Sequence, residues 1–361
     1  MHSHSSTSSS RSVKPIFSVR IIAGGVLAFA LLATTNYAIN RSMNPYDSAS
    51  RIGRIVRYIR GLQQQPSVPS VVFLGSSRFH SAILPEVFLD GFENDHLRFM
   101  NWSQPSFGWW EFSKAFARVD LDPLDIRVFV VEVNPWTFTT HSRHPITKKK
   151  STYRREAENW GNMEDVLTTD SFLAGGELVY RMFLPRRTLH DWLAAVKLRS
   201  QPPRALNIEP PRYHCDKEAE ETLKNNPDFF PENISRCHML DYVFSDRKAK
   251  QFQRFLQGLV MQGAEVILVH PPVVSEYYGY VNSNAARRSE FEKHTKFLDK
   301  LSSQYVFVNW QVPTDAKLTD AIFVDYGHCS LSGASSFSHA LASELQKDIE
   351  QSLGPLQNEP R

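Results

Sequence analysis

VVFLGSS, from Val71 to Ser77, sets four β-branched or apolar residues in a row before a glycine and two serines. A strand with one wet face alternates apolar and polar positions, so an unbroken apolar run of this length is a strand buried on both faces. Similar runs recur at Leu97–Trp102 (LRFMNW), Val128–Val133 (VFVVEV), Glu265–His270 (EVILVH) and Val306–Trp310 (VFVNW). Between them lie stretches with helical spacing, at Phe112–Val119, Lys248–Gln262 and Ser289–Ser302. A last helix is predicted from about Ser332, because Phe337, Leu341, Leu345 and Ile349 share one face. Strands apolar on both sides and separated by helices predict a doubly wound α/β domain, with five parallel strands and helices on both faces.

The third and fourth runs are more than a hundred residues apart, too far for an ordinary crossover. Residues about 137–244 are therefore expected to be an insertion within a domain that spans 70–352. The insertion is rich in aromatic and basic residues, among them Lys148–Lys150, Arg154, Arg155, Arg186 and Arg187. Two readings of that charge stay open, a solvated basic face and a platform for anionic headgroups or an anionic polymer. Residues 353–361 form a short C-terminal tail.

Upstream, Ile21–Ile39 reads IIAGGVLAFALLATTNYAI, which contains no charge. As a helix it would be roughly 28 Å long, near the hydrocarbon thickness of a bilayer. Arg11, Lys14 and Arg20 precede it and Arg41 follows, so the N-terminal side carries the positive excess. That asymmetry predicts a cytoplasmic tail at 1–15, a single-pass anchor at 16–40 and an exported remainder. A cleaved signal peptide and a buried soluble helix are the rival readings. Residues 41–69 read as a juxtamembrane linker with one amphipathic helix, in which Ile52, Ile55, Val56 and Ile59 recur at helical spacing.

The 361 residues are 42% hydrophobic and 22% charged, with a net charge of +3, values that fit a globular domain and argue against nucleic acid as a partner. Cys215, Cys237 and Cys329 lack metal-ligand spacing, and no metal or organic cofactor is indicated. Cys215 and Cys237 pair in an oxidising compartment on one reading; three free thiols is the other.

Ligands of an open α/β sheet bind beyond the carboxyl ends of the strands. Reactive residue types cluster there. Gly75-Ser76-Ser77 follows the first run, Asn101 and Ser103 end the second, Asn134 follows the third and His270 closes the fourth. Asp325-Tyr-Gly-His328 lies between the fifth run and the last helix. A serine hydroxyl needs a base to take its proton, and a histidine base needs an acceptor that fixes its tautomer. Of the 13 histidines, His328 alone has an aspartate three residues before it. An aspartate that merely caps a turn is the plainer reading of Asp325.

Gly75-Ser76-Ser77 after the first strand, with Asp325-x-x-His328 before the last helix, resembles the SGNH (GDSL-type) hydrolase superfamily. The resemblance covers roughly 70–135 and 245–350 and leaves the insertion unmatched. It is greatest to membrane-anchored members that modify envelope polymers, such as alginate-type O-acetylation proteins and the D-alanyl transfer protein of teichoic acid synthesis. It implies Ser77 as nucleophile, His328 as general base and Asp325 as its orienting partner. It also implies oxyanion donors at the backbone of Ser77, at Gly108 (or Ser106 in a shifted register) and at Asn134. Ser76 stands where the common pattern has aspartate. Arg78, beside the nucleophile, is a candidate substrate contact through a phosphate or carboxylate, while His80 reads as structural. Cys329 is a rival nucleophile without an evident base.

The resemblance further implies an extracytoplasmic esterase or O-acyltransferase on a bacterial cytoplasmic membrane. Its substrate would be an envelope glycopolymer or an acyl carrier or lipid, and its partner a multi-spanning membrane-bound O-acyltransferase. An inactive scaffold or glycan-binding partner of such a complex is the alternative.

Overall fold

The computed structural model describes residues 51–92, 97–105, 107–139, 239 and 242–353. The five apolar runs are strands β1 (Ser70–Leu74), β2 (Arg98–Asn101), β3 (Ile126–Glu132), β4 (Glu265–His270) and β5 (Val306–Asn309). All pair in parallel, in the order β2-β1-β3-β4-β5. Every residue of β1 is buried, and so are the last five of β3 and of β4. Consecutive strand residues point to opposite faces, so both faces of the sheet are covered.

The covering helices fall into two groups. In the first, α1 (Arg51–Leu62) packs on α4 (Trp109–Phe116), and α4 on α5 (Asp246–Val260), which lies against β4. In the second, the long α8 (Leu331–Leu353) packs on α2 (Ser77–Ala82) and α3 (Pro85–Gly91). Between β4 and β5 run α6 (Glu276–Asn282) and α7 (Ala285–Ser302). Helix α1 carries the amphipathic stripe expected within 41–69, and Ile52, Ile55, Val56 and Ile59 are at most 2% exposed, so the helix is packed into the core. Burial of each of these four side chains contributes about 1.5–3 kcal/mol.

Strand order explains where the site lies. The chain leaves β1 for β2 on one side, while β3 pairs on the other, so the crossovers diverge at the carboxyl ends of β1 and β3 and leave a crevice. After β3 the chain turns through Pro135–Phe138 to Thr139, which bridges Phe244 antiparallel, and Ser245 N–H donates to Phe138 O at 2.7 Å. Exit and return are thus neighbours, which lets the intervening residues be inserted without opening the sheet. All of those residues except Met239, Tyr242 and Val243 lie outside the described residues, as do the apolar run Ile21–Ile39, Ser106, Cys215 and Cys237. Among the described residues no helix is long and apolar enough to cross a membrane.

Two fully buried histidines make the core acid-sensitive. His294 lies among the rings of Phe138, Phe244, Phe291 and His270, and neither of its nitrogens has a hydrogen-bond partner among the described residues. Burial holds His294 well below the ordinary histidine range. It also pulls His270 down to about 4, despite a 2.9 Å hydrogen bond to Asn309. As pH falls below about 6.5 the unfolded histidines take up protons and the folded ones do not, so stability is full above that pH and is lost below it. By pH 5 His270 is expected to have cost about 2 kcal/mol, and His294 shifts stability in the same direction. Urea midpoints at pH 7.5 and pH 5 test this, and equal midpoints would refute it.

Candidate active site

The nucleophile candidate is presented by a short, heavily braced helix. Gly75 follows β1, and a Cβ there would lie 2.5 Å from Glu132 Oε2 and 2.7 Å from Phe79 Cβ, so only glycine lets the chain after β1 approach the end of β3. Ser76 caps α2, its Oγ accepting from Arg78 N–H at 3.2 Å, and Ser77 opens the helix. Six residues cannot hold a helix by their own bonds. The last carbonyls of α2 are instead satisfied from elsewhere: Asn101 Nδ2 donates to Phe79 O and Ile83 O, both at 3.1 Å, and Ser338 Oγ donates to Ala82 O at 2.8 Å.

His328 reaches that helix from the loop before α8. The loop is closed by Val324 N–H donating to His328 O at 2.8 Å. Asp325 works at both of its oxygens. Oδ1 accepts from the N–H groups of Gly327 (2.9 Å) and His328 (2.8 Å), which shapes the turn. Oδ2 lies 2.7 Å from His328 Nδ1, which fixes the ring. His328 Nε2 then lies 2.7 Å from Ser77 Oγ, across 251 residues of chain. With the Nδ1 proton facing the carboxylate, Nε2 holds a lone pair toward the hydroxyl. Burial pushes the Asp325 carboxyl up, but the His328 charge and the three hydrogen bonds outweigh it and hold the group below its ordinary range. The His328 side chain remains 22% exposed, so a substrate can reach it.

One residue of this site is absent from the sequence reading. Glu132, the last residue of β3, is 6% exposed and accepts three hydrogen bonds. Its donors are Ser76 N–H (2.5 Å), Ser76 Oγ (2.9 Å) and Asn134 Nδ2 (2.8 Å). A carboxylate beneath the Gly75-Ser76-Ser77 turn thus comes from β3. The signal was available: a lone acidic residue inside VFVVEV, buried on both sides, must have polar partners.

Two of the expected oxyanion donors are otherwise engaged. Gly108 N–H donates to Glu111 Oε2 at 2.8 Å, as the N-cap of α4. The N–H groups of Trp102, Ser103, Gln104 and Phe107 are also occupied, by Phe73 O, Asn101 Oδ1, Gly75 O and Gln104 O respectively. Asn134 is 1% exposed, caps the following turn through Oδ1 to Thr137 N–H, and gives Nδ2 to Glu132. In the structure the amide caps the turn after β3, where free N–H groups need an acceptor. Ser77 N–H, at the first position of α2, has no partner among the described residues.

The flanking residues are placed as follows. Arg78, expected to meet substrate, is 1% exposed, with Nη2 donating to the carbonyls of Pro271 (2.6 Å) and Pro272 (2.5 Å). His80 Nδ1 lies 2.9 Å from Ser103 O. Cys329 is 1% exposed, and burial pushes its thiol up to about 12, which leaves almost no thiolate near neutral pH. Among the described residues no group of three or more His, Cys, Asp or Glu side chains is placed to hold a metal ion.

No family model matches the chain, and no curated protein matches its sequence. Among solved structures, it is similar to a crystal structure of a candidate acylhydrolase from Bacteroides fragilis, at 11% identity and a TM-score of 0.35, over 81% of this chain and 96% of that one. A likeness that distant adds nothing to the geometry.

Proposed function

We propose that this chain is a serine-dependent acyl-ester hydrolase or O-acyltransferase. The observation that carries the reading is the continuous path from Ser77 Oγ through His328 to Asp325, with 2.7 Å at each step. In the first half-reaction Ser77 Oγ attacks the acyl carbonyl carbon and gives its proton to His328 Nε2. Ser77 N–H faces the oxyanion that forms. Collapse expels the alcohol or thiol, which takes the proton from His328. Water or a sugar hydroxyl then repeats the sequence on the acyl-serine, with His328 again the base, and frees Ser77. Asp325 stays charged throughout and stabilises the imidazolium.

The apolar run Ile21–Ile39, with its basic N-terminal flank, supports an anchored protein whose active domain works at the outer face of a bacterial cytoplasmic membrane. An acyl donor or acceptor held at that surface, such as an envelope glycopolymer or a lipid-linked acyl group, is the corresponding substrate class. A multi-spanning membrane-bound O-acyltransferase is the corresponding partner.

Full-length protein mixed with a p-nitrophenyl acyl ester and quenched early should carry one acyl group on the peptide that contains Ser77, read by mass spectrometry. Absence of both adduct and hydrolysis across short- and long-chain esters would defeat the proposal. The engaged donors at Gly108 and Asn134 favour a second reading, an SGNH-like scaffold or glycan-binding partner without turnover. In a deletion strain, full restoration of polymer modification by Ser77→Ala would select that reading. Asp325→Asn keeps an acceptor for the turn but turns an amide N–H toward Nδ1, which forces the wrong tautomer. Its kcat is expected to fall about 10⁴-fold with KM little changed. Steady-state kinetics on the same ester check this.

A further inference from the structure

We propose that Arg78 is the positioning residue that sets the distance between Ser77 and His328, by clamping the loop after β4 and the Asp325–His328 loop to the nucleophile helix. The inference rests on the acyl-transfer reading above and adds a residue to it.

Three contacts carry it. Nη2 donates to Pro271 O and Pro272 O, both in the loop that leaves β4. That loop is itself tied to the histidine loop, because Val274 N–H donates to Tyr326 O at 3.0 Å. The guanidinium also lies directly against the histidine loop: a Cβ on Gly327 would be 2.9 Å from Arg78 Nε. Its third face meets Trp136, whose ring centre is 5.0 Å from Cζ. One side chain, rooted next to Ser77, therefore touches the ends of β3 and β4 and the loop that holds His328.

Stability alone does not account for an arginine here. The side chain is 1% exposed, Nε and Nη1 are enclosed without hydrogen-bond partners, and it forms no ion pair among the described residues. Burying a cation without a carboxylate is costly, and an apolar residue of similar length would fill the space at less cost. What an apolar residue would lack is the Nη2 group that donates to two consecutive carbonyls, held by a planar guanidinium lying close to Gly327. Displacements near 1 Å between reacting groups are enough to lower a rate about 100-fold.

The test uses full-length Arg78→Gln and Arg78→Lys. Arg78→Gln should lower kcat for a p-nitrophenyl ester about 100-fold with KM within about twofold, while Arg78→Lys, which retains one carbonyl bond, should lose about tenfold. Ile349→Ala, a cavity at the far end of α8, serves as a control of equal or greater loss in melting temperature and should leave kcat near wild type. Wild-type kcat in folded Arg78→Gln, or an equal kcat loss in the Ile349→Ala control, overturns the proposal. Should Arg78→Gln not fold, Arg78→Lys is judged by the same two criteria. If the wild-type protein shows no turnover, the acyl-transfer reading fails separately. Positioning is then read from ¹⁵N spectra of His328: a hydrogen bond at Nε2 that weakens in Arg78→Lys sustains it, and unchanged spectra overturn it.

Discussion

Ser77→Ala is expected to reduce kcat for acyl-ester hydrolysis by about 10⁵–10⁶-fold and to leave the fold intact. The hydroxyl's recorded hydrogen bond is the one to His328, and α2 is held by Asn101 and Ser338, which the substitution does not touch. Stability should therefore change by no more than about 1 kcal/mol. His328→Ala should cost a similar factor, and the double variant little more than either single one, because the two groups act as a unit. Rates with a soluble ester, together with thermal melts, decide it. Residual activity within tenfold of wild type in Ser77→Ala would mean that another group performs the reaction.

The second large effect is expected at Glu132. Its carboxylate receives only donors: the N–H and hydroxyl of Ser76 and the amide of Asn134. Glutamine has nearly the same shape but replaces one acceptor oxygen with an NH₂ group, which would face a donor in this buried place. A buried donor left without an acceptor costs about 1–3 kcal/mol, and loss of a charged acceptor raises that further, so Glu132→Gln should destabilise by about 2–4 kcal/mol. Catalysis should suffer as well, since Ser76 is the cap that begins the helix presenting Ser77. Urea unfolding and kcat of Glu132→Gln test the two parts. A variant with wild-type stability would show that the three hydrogen bonds are dispensable.

The strands were readable because their signal is local. β4 occupies the same residues in sequence and structure, Glu265–His270, since a short run buried on both faces allows little else. Helix ends were less exact. The helix predicted at Phe112–Val119 is Trp109–Phe116, because Gly108 and Glu111 form its cap and the preceding loop sets where it begins. Helix α1 was recognised as amphipathic, but an apolar stripe does not name the surface that covers it, and α4 does so here.

The residues of the candidate site divide the same way. In the sequence, Gly75-Ser76-Ser77 after a strand and Asp325-x-x-His328 before the last helix brought out Ser77, Asp325 and His328 as candidates, and the resemblance these motifs carry joined them as a set. The sequence also determined the five-stranded parallel order of chemistry along the chain, because burial periodicity is written residue by residue. Only the folded chain decided the acceptor role of Glu132 toward Ser76 and the clamp made by Arg78. The reason is physical: a hydrogen bond is a relation between two positions, and here its partners are 56 residues apart for Glu132 and up to 194 for Arg78. No local pattern encodes the partner, so only the packing of one strand end against another makes the choice.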